Sequence, residues 1–178
     1  GAFNSDYKLT SIELPTKLTS IGASAFLNCE SLESIDIPDT VTEIGDRAFA
    51  NSGLRMLVIP SGVTAVNYDL CNENHNLNEV VFSPNTKSVE MTAFSGCSNL
   101  KNIDLPDGLE KIGKMAFLSS VNARIYIPQS VTDIEKKAFN DNAVIYGYAN
   151  SAAEEFAKNN DIKFVAVNSH DEYLSLLT

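Results

Sequence analysis

The chain has 178 residues, 44% hydrophobic and 20% charged, which suits one domain with a sizeable core. A net charge of −10 leaves no basic face to replace the counterions of nucleic acid or to meet an anionic membrane. No apolar run approaches the roughly 18–20 residues that cross a bilayer, so no membrane insertion of this segment is expected.

The chain opens with Gly1, which reads as the residue left by tag removal, so a missing signal peptide carries no information. From there one unit recurs. Prolines fall at Pro15, Pro38, Pro60, Pro84, Pro106 and Pro128, in steps of 23, 22, 24, 22 and 22. An independent marker, Ala-Phe, falls at Ala2-Phe3, Ala25-Phe26, Ala48-Phe49, Ala93-Phe94, Ala116-Phe117 and Ala138-Phe139. Phe3 lies 12 residues before Pro15, the same as Phe26 to Pro38. The chain therefore starts inside a unit, and upstream repeats or an upstream domain are expected.

The clearest unit runs Leu32, Ile35, Ile37, Pro38, Val41, Ile44, Gly45, Ala48, Phe49. Leu-x-x-Ile-x-Ile alternates with period two, which predicts a short strand with one face inward. Proline cannot donate to a ladder and closes that strand. Val-x-x-Ile-Gly carries the chain around a coil, with Gly22, Gly45 and Gly113 suited to unusual dihedrals or close approach. Ala-Phe then sits on a short turn or 3₁₀ segment, with the ring filling the coil. One unit cannot bury its apolar side, but stacked units share a continuous core.

Two units are irregular. Between Pro60 and Leu70 a residue is missing, Asn67 replaces the Gly, and Leu70 is read into the aromatic slot. Ser83 separates Phe82 from Pro84, and residues 71–77 are expected to bulge from the stack as a loop. In a later unit Asn122 stands where the leading Leu belongs.

After Phe139 the pattern changes to Val144-Ile145-Tyr146-Gly147-Tyr148. Asn150 or Ser151 can cap a short helix carrying Glu154 and Glu155 in its first turn, with Ala153, Phe156 and Ala157 on one face. Residues 162–167 read as a closing strand. The tail, residues 168–178, is acidic and then apolar, and is read as a frayed helix or a packing arm. The expected division is repeats over 1–148, a cap over 149–167 and the tail.

With these residues assembled, the unit resembles the BspA-like, or Treponema-type, leucine-rich repeat. Its pattern runs Leu-x-x-Ile-x-Ile-Pro-x-x-Val-x-x-Ile-Gly-x-x-Ala-Phe-x-x-Cys, and Cys29 and Cys97 follow Phe26 and Phe94 as it asks. The resemblance covers residues 2 to about 167. It implies an α/β right-handed leucine-rich repeat solenoid with short strands in a continuous sheet and an irregular or 3₁₀ convex side. The expected stack has about six to seven coils at about 4.8 Å each, closed by the helix and strand. The resemblance further implies a secreted or cell-surface bacterial protein with no shared catalytic residues and no cofactor.

Little in the residues points to catalysis. Cys29 and Cys97 sit three coils apart, roughly 14–15 Å. That is beyond the about 7 Å Cα limit of a disulfide. With Cys71 they are expected to be small buried hydrophobes. His75 and His170 make no recognisable metal or nucleophile–base pattern. The binding candidate is the outward side of the strands, where two columns line up: Met56, Glu79, Asn102 and Arg124, and Val58, Val81, Asp104 and Tyr126. Apolar residues there, rimmed by charge, predict a partner surface. The expected function is a non-enzymatic extracellular binding module for a protein or glycan at a host or microbial surface. The alternatives are a structural spacer and an accessory glycan-binding part of a secreted enzyme.

Overall fold

The computed structural model describes residues 1–177 and shows a solenoid of about seven turns closed by a helix and a strand. In chain order the first strands are β1 (Ser20–Ile21), β2 (Glu43–Ile44), β3 (Met56–Val58), β4 (Ala65–Val66), β5 (Glu79–Val81) and β6 (Ser88–Val89). They are followed by β7 (Asn102–Asp104), β8 (Lys111–Ile112), β9 (Arg124–Tyr126), β10 (Asp133–Ile134) and β11 (Val144–Gly147). The chain ends in α1 (Ala152–Asn159), β12 (Lys163–Ala166) and α2 (His170–Ser175).

Every strand pair is parallel, as a coil that advances by one turn requires. The expected strand face carries β3 paired to β5, and β7-β9-β11-β12. The ladder between β5 and β7 is absent, so the sheet on this face is split rather than continuous. A second ribbon, not anticipated from the sequence, holds β1-β2 and β4-β6-β8-β10. It arises from the Val-x-x-Ile stretch, where each Ile-slot carbonyl accepts from the next coil, as in Gly45 N to Ile21 O at 2.8 Å and Gly113 N to Val89 O at 2.7 Å.

The third side contains no 3₁₀ helix among the described residues. It is a run of turns built on two columns of left-handed residues. Ser24, Arg47, Asp69, Thr92, Met115 and Lys137 form one, with φ between 53° and 58°. Ser5, Asn28, Asn51, Glu73, Gly96 and Ser119 form the other. Most are not glycine, so the stack rather than the residue type imposes the conformation. The repeating glycine serves close approach: a Cβ on Gly45 or Gly113 would meet the backbone of the preceding coil at 2.5–2.6 Å, whereas Gly22 has nothing within 4 Å.

Inside, the phenylalanines form a column. Phe3, Phe26 and Phe49 stack at 5.4 and 5.5 Å, and Phe94, Phe117 and Phe139 at 5.4 and 5.7 Å. The gap between the two stacks corrects the sequence alignment. Phe26, Phe49, Phe94 and Phe117 each donate their N–H to the Ala-slot carbonyl of the next coil, and Cys71 does the same to Ala93 O. Phe49 N in turn donates to Leu70 O. Cys71 therefore holds the aromatic slot and Leu70 the alanine slot. The missing ring is offset by Phe82, which meets Phe94 edge-on at 5.8 Å.

That shift removes the expected bulge. Residues 71–77 follow the same turns as their neighbours, with Asn74 in the cysteine slot and Leu77 in the leucine slot, both fully buried. Ser83 takes the place of proline, its carbonyl accepting from Thr86 N as Pro60 O accepts from Val63 N. The extra residue inferred from Pro84 is thus a one-position slip of the marker. Asn122 is exposed, and Ala123, fully buried, fills the slot of the leading leucine.

The cysteine slot is a polar column in an apolar wall, and its side chains donate to the aromatic-slot carbonyl one coil back. Cys29 Sγ donates to Phe3 O at 3.1 Å, Asn74 Nδ2 to Phe49 O at 2.9 Å and Cys97 Sγ to Cys71 O at 3.2 Å. All three cysteines are buried and unbridged. Burial pushes the Cys97 thiol well up and the Cys71 thiol to about 12.

At the C-terminus Ser151 caps α1 by accepting from Glu154 N, and the Glu154 carboxylate accepts at 2.6 Å from the N–H of Asn150, the residue before the cap. Ala153, Phe156 and Ala157 are buried, and Phe156 closes the aromatic column edge-on against Phe139 at 5.8 Å. β12 pairs with β11 and ends the sheet.

Candidate functional site

Period-two alternation on strands of three residues leaves the first and third side chains outward, and the register stacks them. Met56 stands beside Glu79, and Val58 beside Val81. Asn102 stands beside Arg124, and Asp104 beside Tyr126. Both predicted columns are therefore present. Met56, Val58 and Val81 are 46%, 47% and 42% exposed, a contiguous apolar patch on β3 and β5. Glu79, Asn102, Asp104 and Arg124 are exposed around and beyond it.

Tyr126 departs from expectation, being only 1% exposed. The reason is the tail. Ser169 caps α2 by accepting from Glu172 N at 3.1 Å, and the helix lies across the outward face of β7, β9 and β11. His170 Nε2 sits 2.8 and 2.9 Å from the two carboxylate oxygens of Asp104. The Tyr173 ring packs 5.2 Å from both Tyr126 and Tyr146. These side chains and Val167 form an apolar cluster separate from the coil interior, with Tyr148, Val165 and Leu177 against it. The tail is thus a packing arm. Sequence reasoning missed its landing site because His170 and Asp104 are 66 residues apart.

Between the arm and the patch lies a groove of about 660 Å³. It coincides with the split between β5 and β7, so Val80, inward on β5, and Phe82, just beyond it, are only partly buried and help to line it. Among the described residues three carboxylates line it, Glu79, Asp104 and Asp107, and no Lys or Arg does. The hydroxyls behind it are poor acids: burial pushes Tyr173 up to about 12 and also raises Tyr126, whose hydroxyl lies 3.4 Å from that of Tyr148. The His170–Asp104 pair ties the arm to β7. Among the described residues no group of three or more His, Cys, Asp or Glu is placed to hold a metal. No helix among them is long and apolar enough to cross a membrane.

The profile of the family described as "BspA type Leucine rich repeat region" matches residues 1–90 and 68–159, in six copies. A leucine-rich repeat protein from Bacteroides ovatus is similar in structure at a TM-score of 0.53 and 22% identity, which speaks to the fold alone. The match covers 90% of this chain, and the chain spans 55% of that protein's length. A leucine rich cell surface protein from Faecalibacterium prausnitzii matches over 97% of this chain and 83% of its own at 16% identity, with a TM-score of 0.40 too low to carry weight. No curated protein matches the chain.

Proposed function

Since the chain belongs to the BspA-type leucine-rich repeat family, we propose that it is a non-enzymatic, extracellular module that binds a protein partner through its strand face. The family is typical of surface proteins and consistent with a binding or structural role. The observation that carries the reading is the patch of Met56, Val58 and Val81, each more than 40% exposed and adjacent in register. Scattered apolar residues on a surface are ordinary, but a contiguous group edged by charge beside a groove fits the composition of an interface core and rim. The surrounding residues Glu79, Asn102, Asp104 and Arg124 supply that rim, and Tyr126 belongs to it when the arm is lifted.

An array of host matrix proteins and glycans, probed with the purified chain, tests this. Selective capture of one or a few proteins, lost on replacing Val81 with Asp, supports the strand face. Capture that survives the replacement moves the interface elsewhere. Silence across the array favours a spacer.

A further inference from the structure

The arm lies on the outside of the solenoid rather than within it. Its helix has six residues, too few to stay helical alone in water, so its form depends on the surface that receives it. His170, Tyr173 and Leu177, spaced i, i+3 and i+7, turn one face toward the sheet. Leu174 and Leu176, at 42% and 48% exposed, face away. Asp104 receives the imidazole, and Tyr126 and Tyr146 receive the ring. The fit is incomplete: the Tyr173 hydroxyl is buried and has no hydrogen-bond partner among the described residues. Leaving such a group buried costs the arm part of what its apolar contacts contribute.

We propose that the arm is a resident, displaceable ligand of the strand face, and that the partner is a short amphipathic helical segment bearing the same groups. Those groups are an imidazole or cation for Asp104, an aromatic ring three residues later for Tyr126 and Tyr146, and an aliphatic side chain four residues further on. The inference rests on the reading that the strand face binds a partner, and it gives that face its partner chemistry. The carboxylates of Glu79 and Asp107, which line the groove beside the arm, favour a segment more cationic than the arm, whose first turn carries Asp171 and Glu172. Displacing the arm joins the tyrosine strip to the open patch in one surface running from β3 to β11.

The test uses the full chain and a fluorescein-labelled peptide copying residues 168–178. A variant carrying Tyr173→Ala and Leu177→Ala weakens the arm and leaves the coils untouched. The peptide is expected to bind this variant at least tenfold more tightly than the unaltered chain, whose face is occupied. Adding Asp104→Ala is expected to cost at least tenfold. In the unaltered chain, amide hydrogen exchange at Tyr173, Leu176 and Leu177 is expected to be at least a hundredfold faster than in β9 and β11. The inference is overturned if the peptide fails to bind the arm variant, if both proteins bind it equally, if Asp104→Ala changes nothing, or if the arm amides are protected as strongly as the strands. These readouts do not involve Met56 or Val58. Loss of array capture on replacing Val81, without peptide binding, sinks the arm chemistry alone; peptide binding with capture indifferent to Val81 sinks the open-patch reading instead.

Discussion

Replacing Phe117 with Ala removes a ring from the middle of the aromatic column. Phe117 is fully buried and stacked on both faces, against Phe94 at 5.4 Å and Phe139 at 5.7 Å. Truncating a buried Phe costs about 3–5 kcal/mol, the upper half applying where the surroundings cannot collapse. Here they cannot, because the backbone of each coil is pinned to both neighbours: Phe94 N donates to Ala116 O, and Phe117 N to Ala138 O, both at 2.8 Å. A loss of about 4 kcal/mol is expected, read from urea titration as a lower midpoint at unchanged slope. For a chain of this size it corresponds to a fall in Tm of about 8–16 °C. Phe3, 37% exposed with a single stacking neighbour among the described residues, serves as the control, and Phe3→Ala is expected to cost about 1–2 kcal/mol. A loss below about 2 kcal/mol at Phe117, or equal losses at the two sites, refutes the column as the main source of coil-to-coil cohesion.

Gly53→Ala is expected to destabilise by about 1–3 kcal/mol on thermal melting, because the new Cβ would overlap the backbone carbonyl of Glu30 in the preceding coil. Lys137 is exposed and left-handed at φ 58°, so Lys137→Gly is expected to raise stability by about 0.5–1 kcal/mol, the relief of a strained L residue exceeding the entropy a glycine adds to the unfolded chain. The buried thiols make stability fall at high pH. The folded Cys71 value of about 12 lies above the unfolded 8.5–9, so its contribution is intact below pH 8.5 and lost as pH climbs toward 12. At pH 10.5 Cys71 alone is expected to cost about 2 kcal/mol in the denaturation midpoint. Native protein at pH 8 should also show no fast-reacting thiol toward an aromatic disulfide, and all three after unfolding.

The period, the strand face and the cap were legible because they rest on local rules. Alternation sets which side chains face out, proline follows most of the repeat strands, and a polar cap ahead of Glu154 and Glu155 marks α1. The slips in the third and fourth units came from assigning slots by side chain where the fold assigns them by backbone hydrogen bonds. Leu70 looks more like Phe than Cys71 does, and Pro84 looks more like the strand-closing residue than Ser83. Yet Cys71 N and Ser83 O make the contacts that define those positions. Tolerance of Cys71 depends on Phe82, a compensation between residues that no single repeat contains. The second ribbon was hidden because two-residue strands carry no alternation to read. The arm was illegible for a different reason: its docking joins residues from opposite ends of the sheet, through one carboxylate that reads, on its own strand, as an ordinary exposed aspartate.

The most direct test of the account is a side-by-side titration of the strongest array binder against the unaltered chain and a Met56→Asp/Val81→Asp variant. Both positions are more than 40% exposed and point away from the core, so the variant is expected to keep the melting temperature within a few degrees. At least a tenfold loss of affinity at unchanged fold is expected. Equal affinity for the two proteins would remove the open patch on β3 and β5 as the binding surface.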